Sequence, residues 1–495
     1  MAHFIQTQKG AKKLCFEGHQ YTKQRTLGTK TFWICHIRKT CNSRAISEEP
    51  EPGVVNVRVT KPHVHAPSRE EGIAVDIRNR LKRRALDEPA NNPGAMIREE
   101  LSEATAATLA SLPERQSLRR MINRKRCSVR PANPRSLDDL QIVDPYDKTL
   151  TGEAFLLLDN KHDMEEPQPN RIVIFATEQN IRLLFSSADW YSDGTFSIVP
   201  SLFYQLWTIH GRVLDQVFPL VYALTTNKTE EVYVTILRTL KQKAVQLRHP
   251  HAELFPVTSM TDFETAAINA FQNIFPTIRI HLCFFHFAQS VYRKVQELGL
   301  SVQYNEEDSW VKQWIHSAIS LAFVPPEDVV ETFTSLCEQL QEVDEDNDAL
   351  PQVEAIAKYM KITYISGKPA RGRRRAVPPR YHPDKWNVYE RTLNREGRTN
   401  NLVEGYHNRL NKMINKHHVS MFSMLGEIQR EQRDTEVAIT QLHAGHGNVR
   451  QNRSKRAEMK ENRILNIVQR YQEYKDNNDI ATYLRSLGYN IVPRA

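Results

Sequence analysis

Residues 193–226 read DGTFSIVPSLFYQLWTIHGRVLDQVFPLVYALTT, three runs rich in aromatic and β-branched residues, interrupted by Pro200 with Ser201 and by a turn at 211–215. Side chains of this kind fit a pleated, packed surface, so the runs predict successive strands over 193–199, 203–214 and 216–226. The texture then changes. EEVYVTILRTLKQKAVQL (230–247) repeats Val232, Ile236, Leu240 and Ala244 at every fourth position, the spacing of one helix face. LFPVTSMTDF (254–263) reads as a strand, ETAAINAFQNIF (264–275) as a helix and TIRIHLCFF (277–285) as a strand. The order β-β-β-α-β-α-β predicts a mixed sheet with helices packed on it.

On this reading Asp193 opens the first strand and Asp262 stands at the C-terminal end of the fourth. If those strands are neighbours, the two carboxylates meet beyond the strand ends and can bridge divalent ions. A third acid would have to come from a later helix, and Glu404 in NNLVEGYHNRLNKMI (400–414) is placed for that. Glu264 is a rival acid, read instead as capping the next helix near its N-terminus. Trp207 and His210, on the middle strand, read as core and as a hydrogen-bonded histidine.

The block resembles the Mutator-like element (MULE) transposases. The resemblance is carried by Asp193-Gly194-Thr195-Phe196, by FYQLWTIH (203–210), by PLVYAL (219–224), by Thr261-Asp262-Phe263-Glu264 and by Cys283-Phe284-Phe285-His286. It implies a ribonuclease H-like α/β core over 150–296, interrupted by an all-helical insertion (297–395) and completed by C-terminal helices (396–475). It also implies Asp193, Asp262 and Glu404 as ligands of catalytic Mg²⁺ or Mn²⁺, in an enzyme that cleaves and rejoins DNA. The Cys283-x2-His286 pair, which the family also shows, is read as lying on the last strand and as packing or support for the active site, with a second zinc site as the alternative.

The N-terminal segment has a different character. Short aromatic stretches at Gln20 with Tyr21, 31–36 and 54–60 predict a small β-module, with Gly28 and the acidic, Pro-containing stretch 48–53 between them. Cys35-x5-Cys41 is followed by His63-x-His65, two thiolates and two imidazoles that suffice for a tetrahedral Zn²⁺ shell. Neighbouring strands lie only about 4.8 Å apart, so ligands just past two of them can converge on one ion. A core this small gains much from a metal staple. The segment 4–67 resembles the FLYWCH zinc finger on FEGHQY (16–21), FWIC (32–35), CNSRA (41–45) and HVHAP (63–67). That resemblance implies a zinc-stabilised sheet that engages DNA or, less often, proteins.

Between these modules lie AVDIRNRLKRRAL (74–86), AMIREELSEATAATLASL (95–112) and SLRRMINRKR (117–126), three amphipathic runs punctuated by Pro89, Pro93 and Pro113. They predict a helical, DNA-binding region over 70–130. RLKRRAL (80–86) and SLRRMINRKRCSVR (117–130) carry its charge, and Ala370-Arg371-Gly372-Arg373-Arg374-Arg375, in a basic Pro-rich loop at 367–385, can contact phosphates or act as a nuclear address.

Composition sets the bounds. The 495 residues call for several folded units, and Lys+Arg 67 against Asp+Glu 58, a net charge of +9, favours a polyanionic partner. No apolar run reaches the roughly eighteen residues a membrane span needs, and the N-terminus lacks a secretory core, so a soluble, intracellular and no-membrane reading follows. Six cysteines are too few for a disulfide scaffold in this length. The expectation is therefore a multidomain α+β DNA transposase in the nucleus, with structural Zn²⁺, catalytic Mg²⁺ or Mn²⁺, and double-stranded DNA, terminal inverted repeats, as partner. Assembly as a homo-oligomer is left open. The alternative is a domesticated DNA-binding protein that keeps the fold and no longer cuts.

Overall fold

The computed structural model describes residues 2–6, 11–51, 54–88, 91–163, 170–252, 256–372, 374–414, 419–447 and 455–491. Gly53, Pro89, Leu254, Phe255 and Arg373, which enter the sequence-based expectations, lie outside them. The chain forms two units, residues 1–132 and 133–495. Among the described residues no helix is long and apolar enough to cross a membrane.

The first unit opens with β1 (His3–Gln6), β2 (Lys12–Phe16), β3 (His19–Leu27), β4 (Lys30–Cys35), β5 (Arg44–Glu51) and β6 (Val54–Lys61), paired in chain order as one antiparallel sheet. β1, β2 and β5 were not foreseen, and the acidic stretch expected to separate strands belongs partly to β5. Both departures have one cause: strands exposed on one face carry many Lys, Glu and Gln, which masks their period-two signal. Leu14, Tyr21, Trp33 and Ala45 form the small buried core, and the Trp33 indole N–H donates to Ser47 Oγ at 2.8 Å. Gly18 (φ +78) closes the β2–β3 turn, where a Cβ would meet Pro67 at 2.7 Å.

Four helices follow: α1 (Arg69–Asp87), α2 (Pro93–Glu100), α3 (Ala106–Ala110) and α4 (Arg115–Cys127). The second expected run is thus two helices. Ser68 Oγ accepts from the Glu71 N–H at the start of α1, and Pro93 takes the first position of α2, where a missing N–H costs nothing. Ile77, Leu81, Ala85, Met96, Ile97, Leu118 and Ile122 make their core. Several of the expected DNA-reading arginines are structural instead. Arg80 and Arg84 pair with Asp76, Glu88, Glu99 and Glu100, and buried Arg126 donates to the carbonyls of Ala85, Glu88 and Asn91. Arg119, Arg120 and Arg124 remain exposed.

The second unit is built on a seven-stranded sheet of order β13-β12-β9-β10-β11-β8-β7. Its elements in chain order are β7 (Leu156–Asp159), α5 (Asn160–Asp163), β8 (Ile172–Phe175), α6 (Glu178–Phe185), β9 (Asp189–Thr195), β10 (Gln205–Val213), β11 (Gln216–Thr225), α7 (Glu230–Gln246), β12 (Thr258–Thr261), α8 (Thr265–Ile274), β13 (Arg279–Leu282) and α9 (Phe284–Glu297). β12 runs parallel to β9 and β13, and the other pairs are antiparallel. From β9 onward the order is the expected β-β-β-α-β-α-β; β7 and β8 extend it. Alternate residues of one strand enter opposite cores: Ile172 and Ile174 face one side, Val173 and Phe175 the other. A sheet covered on both faces reads as continuous apolar runs. Buried Arg171 fastens this edge, donating to Asp159 at 2.6 Å and to the Leu140 carbonyl at 2.9 Å.

Thereafter the chain is helical: α10 (Ser301–Asn305), α11 (Trp310–Ser320), α12 (Val329–Glu338), α13 (Leu350–Met360), α14 (Pro383–Trp386), α15 (Tyr389–Leu393), α16 (Asn401–Ile414), α17 (Met421–His443), α18 (Lys455–Gln469), α19 (Tyr471–Asp476) and α20 (Ile480–Ile491). The segment expected to complete the core divides in two. α16 and α17 pack on β9 and β11, whereas α18 and α20 pack on α15 and α11. α17 is locked to α6 by the buried amides of Gln432 and Asn180, which exchange hydrogen bonds at 2.7 and 3.0 Å.

Candidate functional site

Two clusters of ligating side chains stand out. In the first unit, Cys35 ends β4, Cys41 closes the helical turn that follows, and His63 and His65 lie just past β6. Their ligand atoms all lie within 4.8 Å of one another, with Cys35 Sγ 3.3 Å from His65 Nε2 and Cys41 Sγ 3.4 Å from His63 Nδ1. Tetrahedral zinc with ordinary bond lengths places sulfur and nitrogen about 3.5 Å apart, so the donor set fits the ion in kind and spacing. The other ring nitrogens are also engaged: His63 Nε2 lies 2.8 Å from Tyr21 Oη and His65 Nδ1 lies 3.0 Å from the Ala66 carbonyl. Such partners fix the tautomer that presents the ligating atom. Burial, helped by neighbouring His19 and His65, pushes His63 down to about 4, so the ring is neutral and ready to ligate.

In the second unit the carboxylates gather at one sheet edge. Asp193 is the fifth residue of β9, not its opening residue, and Asp262 directly follows the parallel neighbour β12. The strand starts earlier than expected: Trp190 and Ser192, ahead of Asp193, are fully buried strand residues, and 196–199, expected as strand, belongs to the connection instead. α16 brings Glu404. Val403 is buried against Tyr191 of β9 and Met260 of β12, which seats the helix across the two strands that carry the aspartates. His286 Nδ1 lies 2.9 Å from Asp262 Oδ1 and 3.7 Å from Glu404 Oε1. Beyond these contacts with one another, the three atoms are buried without a further hydrogen-bond partner among the described residues.

Residues 190–290 match the MULE transposase domain. Residues 4–65 match the FLYWCH zinc finger domain. Among curated proteins, none matches the chain. Together the matches support a transposase-derived, DNA-binding protein with a structural zinc site at Cys35, Cys41, His63 and His65.

Cys283 and His286, inside the MULE match, are not on the last strand. β13 ends at Leu282, Cys283 caps α9, and His286 lies in that helix's first turn. A short apolar run such as TIRIHLCFF does not reveal where strand gives way to helix. Cys283, His286 and Glu404 offer ligand atoms within 4.8 Å of one another, but Cys283 Sγ already accepts from the Asn400 N–H at 3.2 Å. Asn400 in turn donates to the Ser192 carbonyl at 3.0 Å, so Cys283 helps place the start of α16.

His407 was missed as a functional residue. One turn after Glu404 on the same face of α16, it lies with Nδ1 2.9 Å from Asp193 Oδ2. Its Nε2 is 3.0 Å from Thr208 Oγ1, which is 3.0 Å from His210 Nε2, so a buried polar chain holds the Asp193 carboxylate. The Glu-x-x-His spacing in NNLVEGYHNR was the available signal. Glu264 heads α8, but its side chain makes no capping bond and accepts instead from Tyr233 Oη at 3.1 Å.

The electrostatics of this edge are those of crowded acids. Burial raises Asp262 and Glu404 above the usual carboxylate range, and the neighbouring carboxylates push the same way against the pull of His286. Burial disfavours the His286 cation, yet Asp262 and Cys283 beside it push the ring up to about 11.

Proposed function

We propose that this protein is a metal-dependent DNA transposase of the MULE type, with a ribonuclease H-like core in which Asp193, Asp262 and Glu404 hold Mg²⁺ or Mn²⁺. The observation that carries the reading is the convergence of three acids, remote along the chain, at the ends of neighbouring strands: Asp193 and Glu404 line one cleft, and buried Asp262 Oδ1 and Glu404 Oε1 face His286. Hard divalent ions prefer such oxygen ligands, and when bound they polarise a phosphodiester and activate the attacking oxygen. Within the chain, His407 orients Asp193, Val403 sets the depth of Glu404, and His286 supplies charge balance to Asp262 and Glu404. The N-terminal modules would find the terminal repeats in the nucleus.

The test is cutting of a plasmid that carries the genomic sequence on both sides of the coding region. Nicks or ends that need Mg²⁺ or Mn²⁺ and vanish with EDTA support the proposal. Cutting that is indifferent to metal, or no cutting, overturns it. The second reading, a DNA-binding protein that no longer cuts, draws on His286: a protonated imidazole 2.9 Å from Asp262 can balance the acids without a metal. Under that reading calorimetry finds no Mn²⁺ binding that Asp262→Asn removes.

Two further outcomes are expected. His407→Ala should lower the cutting rate and the apparent Mn²⁺ affinity about 10- to 100-fold, the usual effect of removing a partner that orients a metal ligand. His407→Gln should recover part of both, and DNA affinity should stay within twofold or so, because the ring is buried and engaged with Asp193 and Thr208. Unchanged Mn²⁺ dependence in both variants would mean that the His407–Asp193 pairing is only structural.

The second concerns the basic loop. Arg371, Arg374 and Arg375 are exposed on a short hairpin closed by the Lys368–Val377 bridge. Its base is tied to the carboxylate edge, because Tyr381 Oη donates to the Phe263 carbonyl at 2.7 Å and Arg380 to Thr265 Oγ1 at 3.1 Å. Replacing the three arginines by Ala should reduce the slope of log affinity against log salt by about 0.9 for each phosphate these side chains neutralise, read by anisotropy on duplex DNA. An unchanged slope would remove the hairpin from the DNA interface.

A further inference from the structure

We propose that Phe196 and Tyr204, with Lys228 beside them, form a stacking platform for one unpaired nucleobase next to the carboxylate cluster; this rests on the nuclease reading of that site. Phe196 directly follows β9, three residues after Asp193, and Tyr204 directly precedes β10, so both rings sit at the edge that carries the acids. They pack edge to face with centroids 5.3 Å apart, and Lys228 Nζ stands 5.6 Å from one ring and 5.8 Å from the other.

These rings are 44% and 47% exposed, although the connection between them needs neither for its packing. That connection already buries Ile198, Val199 and Phe203 in the core of the sheet. Phe196 also lines the cleft of about 350 Å³ that contains Asp193 and Glu404, with half-buried Phe285 in the same lining. Two exposed aromatic rings beside a cation, opening on a cluster suited to phosphodiester chemistry, match what a single nucleotide presents: a flat π-face and a neighbouring phosphate. A base within a duplex has both faces covered by its neighbours, so the platform selects a base that has left the stack. Every base offers such a face, so the preference is for unpaired structure and not for sequence.

The test compares a short duplex with the same duplex bearing an unpaired end that contains 2-aminopurine, using the full chain with Ca²⁺ in place of Mg²⁺. The wild type should bind the open end about 5- to 150-fold more tightly, the range for one stacked base, and should quench the 2-aminopurine. The double variant F196A/Y204A should lose the preference and the quenching while binding the closed duplex as before. F196W/Y204W should keep both. A wild type that cuts DNA but binds the two probes equally, or an alanine variant that retains preference and quenching, overturns the platform alone. A wild type that binds neither probe overturns it together with the nuclease reading.

Discussion

Asp193→Asn should lower metal-dependent DNA cutting by about a thousandfold while leaving DNA affinity and the fold intact, an effect of the size seen when one electrostatic group is removed from a reacting centre. The substitution keeps the volume of the side chain: the amide oxygen can accept from the Gly194 N–H, now 2.7 Å from Oδ1, while the amide NH2 faces His407 Nδ1, now 2.9 Å from Oδ2, and donates to it in the tautomer that leaves Nδ1 unprotonated. What disappears is one negative charge among three. The neighbouring acids report that charge: Asp193 contributes to the upward displacement of both Asp262 and Glu404, after burial. Without divalent metal, the variant should therefore melt at the same temperature as the wild type or higher, because a like-charge repulsion has gone. With Mn²⁺ the order reverses. A ligand present at about 100 times its Kd stabilises the folded state by about 2.7 kcal/mol, and only the wild type should show that gain.

The sign with pH follows from the same groups. Carboxyls whose folded pKa is raised bind protons in the folded chain over a window where the unfolded chain has lost them. Their contribution to metal-free stability falls as pH rises from the ordinary carboxylate range through the raised values. Protection by Mn²⁺ should grow across the same window. Equal cutting by variant and wild type, or an equal Mn²⁺-induced shift in melting, would remove Asp193 from the metal site.

What the sequence makes legible is chemistry tied to residue type. Four soft or imidazole ligands at Cys35, Cys41, His63 and His65 announce themselves because few structural roles need those atoms in that spacing. What stayed hidden depends on partners far along the chain. Ser192 and Trp190 look like the approach to a strand because burial of a serine depends on Asn400, which arrives more than two hundred residues later and donates to its carbonyl. Likewise His407 reads as one more polar residue on a helix until Thr208 and Asp193 are beside it. Arg80, Arg84 and Arg126 carry the composition of a DNA-reading helix, and nothing local reveals that acids and helix-end carbonyls already occupy them. Periodicity reports which face is buried, not what covers it.

Stripping zinc from the N-terminal module should unfold it outright. Its packed core is the cluster of Leu14, Tyr21, Trp33 and Ala45, with Ile5 and Cys15 also buried, too small to offset the ordering of some fifty residues without a staple. Structural zinc contributes about 10–16 kcal/mol of apparent binding free energy in modules of this size, and that energy is available only to the folded chain. Purified protein should accordingly contain zinc, and Cys41→Ala or a strong chelator should abolish it. The Trp33 indole, buried and bonded to Ser47, then moves into water, so a red shift of tryptophan emission reports the loss. Calorimetry of the full chain should show the transition of this module disappear while that of residues 133–495, built on a far larger core, persists. Acid should release the metal first through Cys35, because His63 stays unprotonated down to about 4 and, against burial, backbone N–H groups hold Cys41 below the usual thiol value, whereas burial raises Cys35 above it. A chain that carries no zinc, or one whose Trp33 emission ignores both chelator and Cys41→Ala, would show that the sheet stands on its own packing and that the four ligands are incidental.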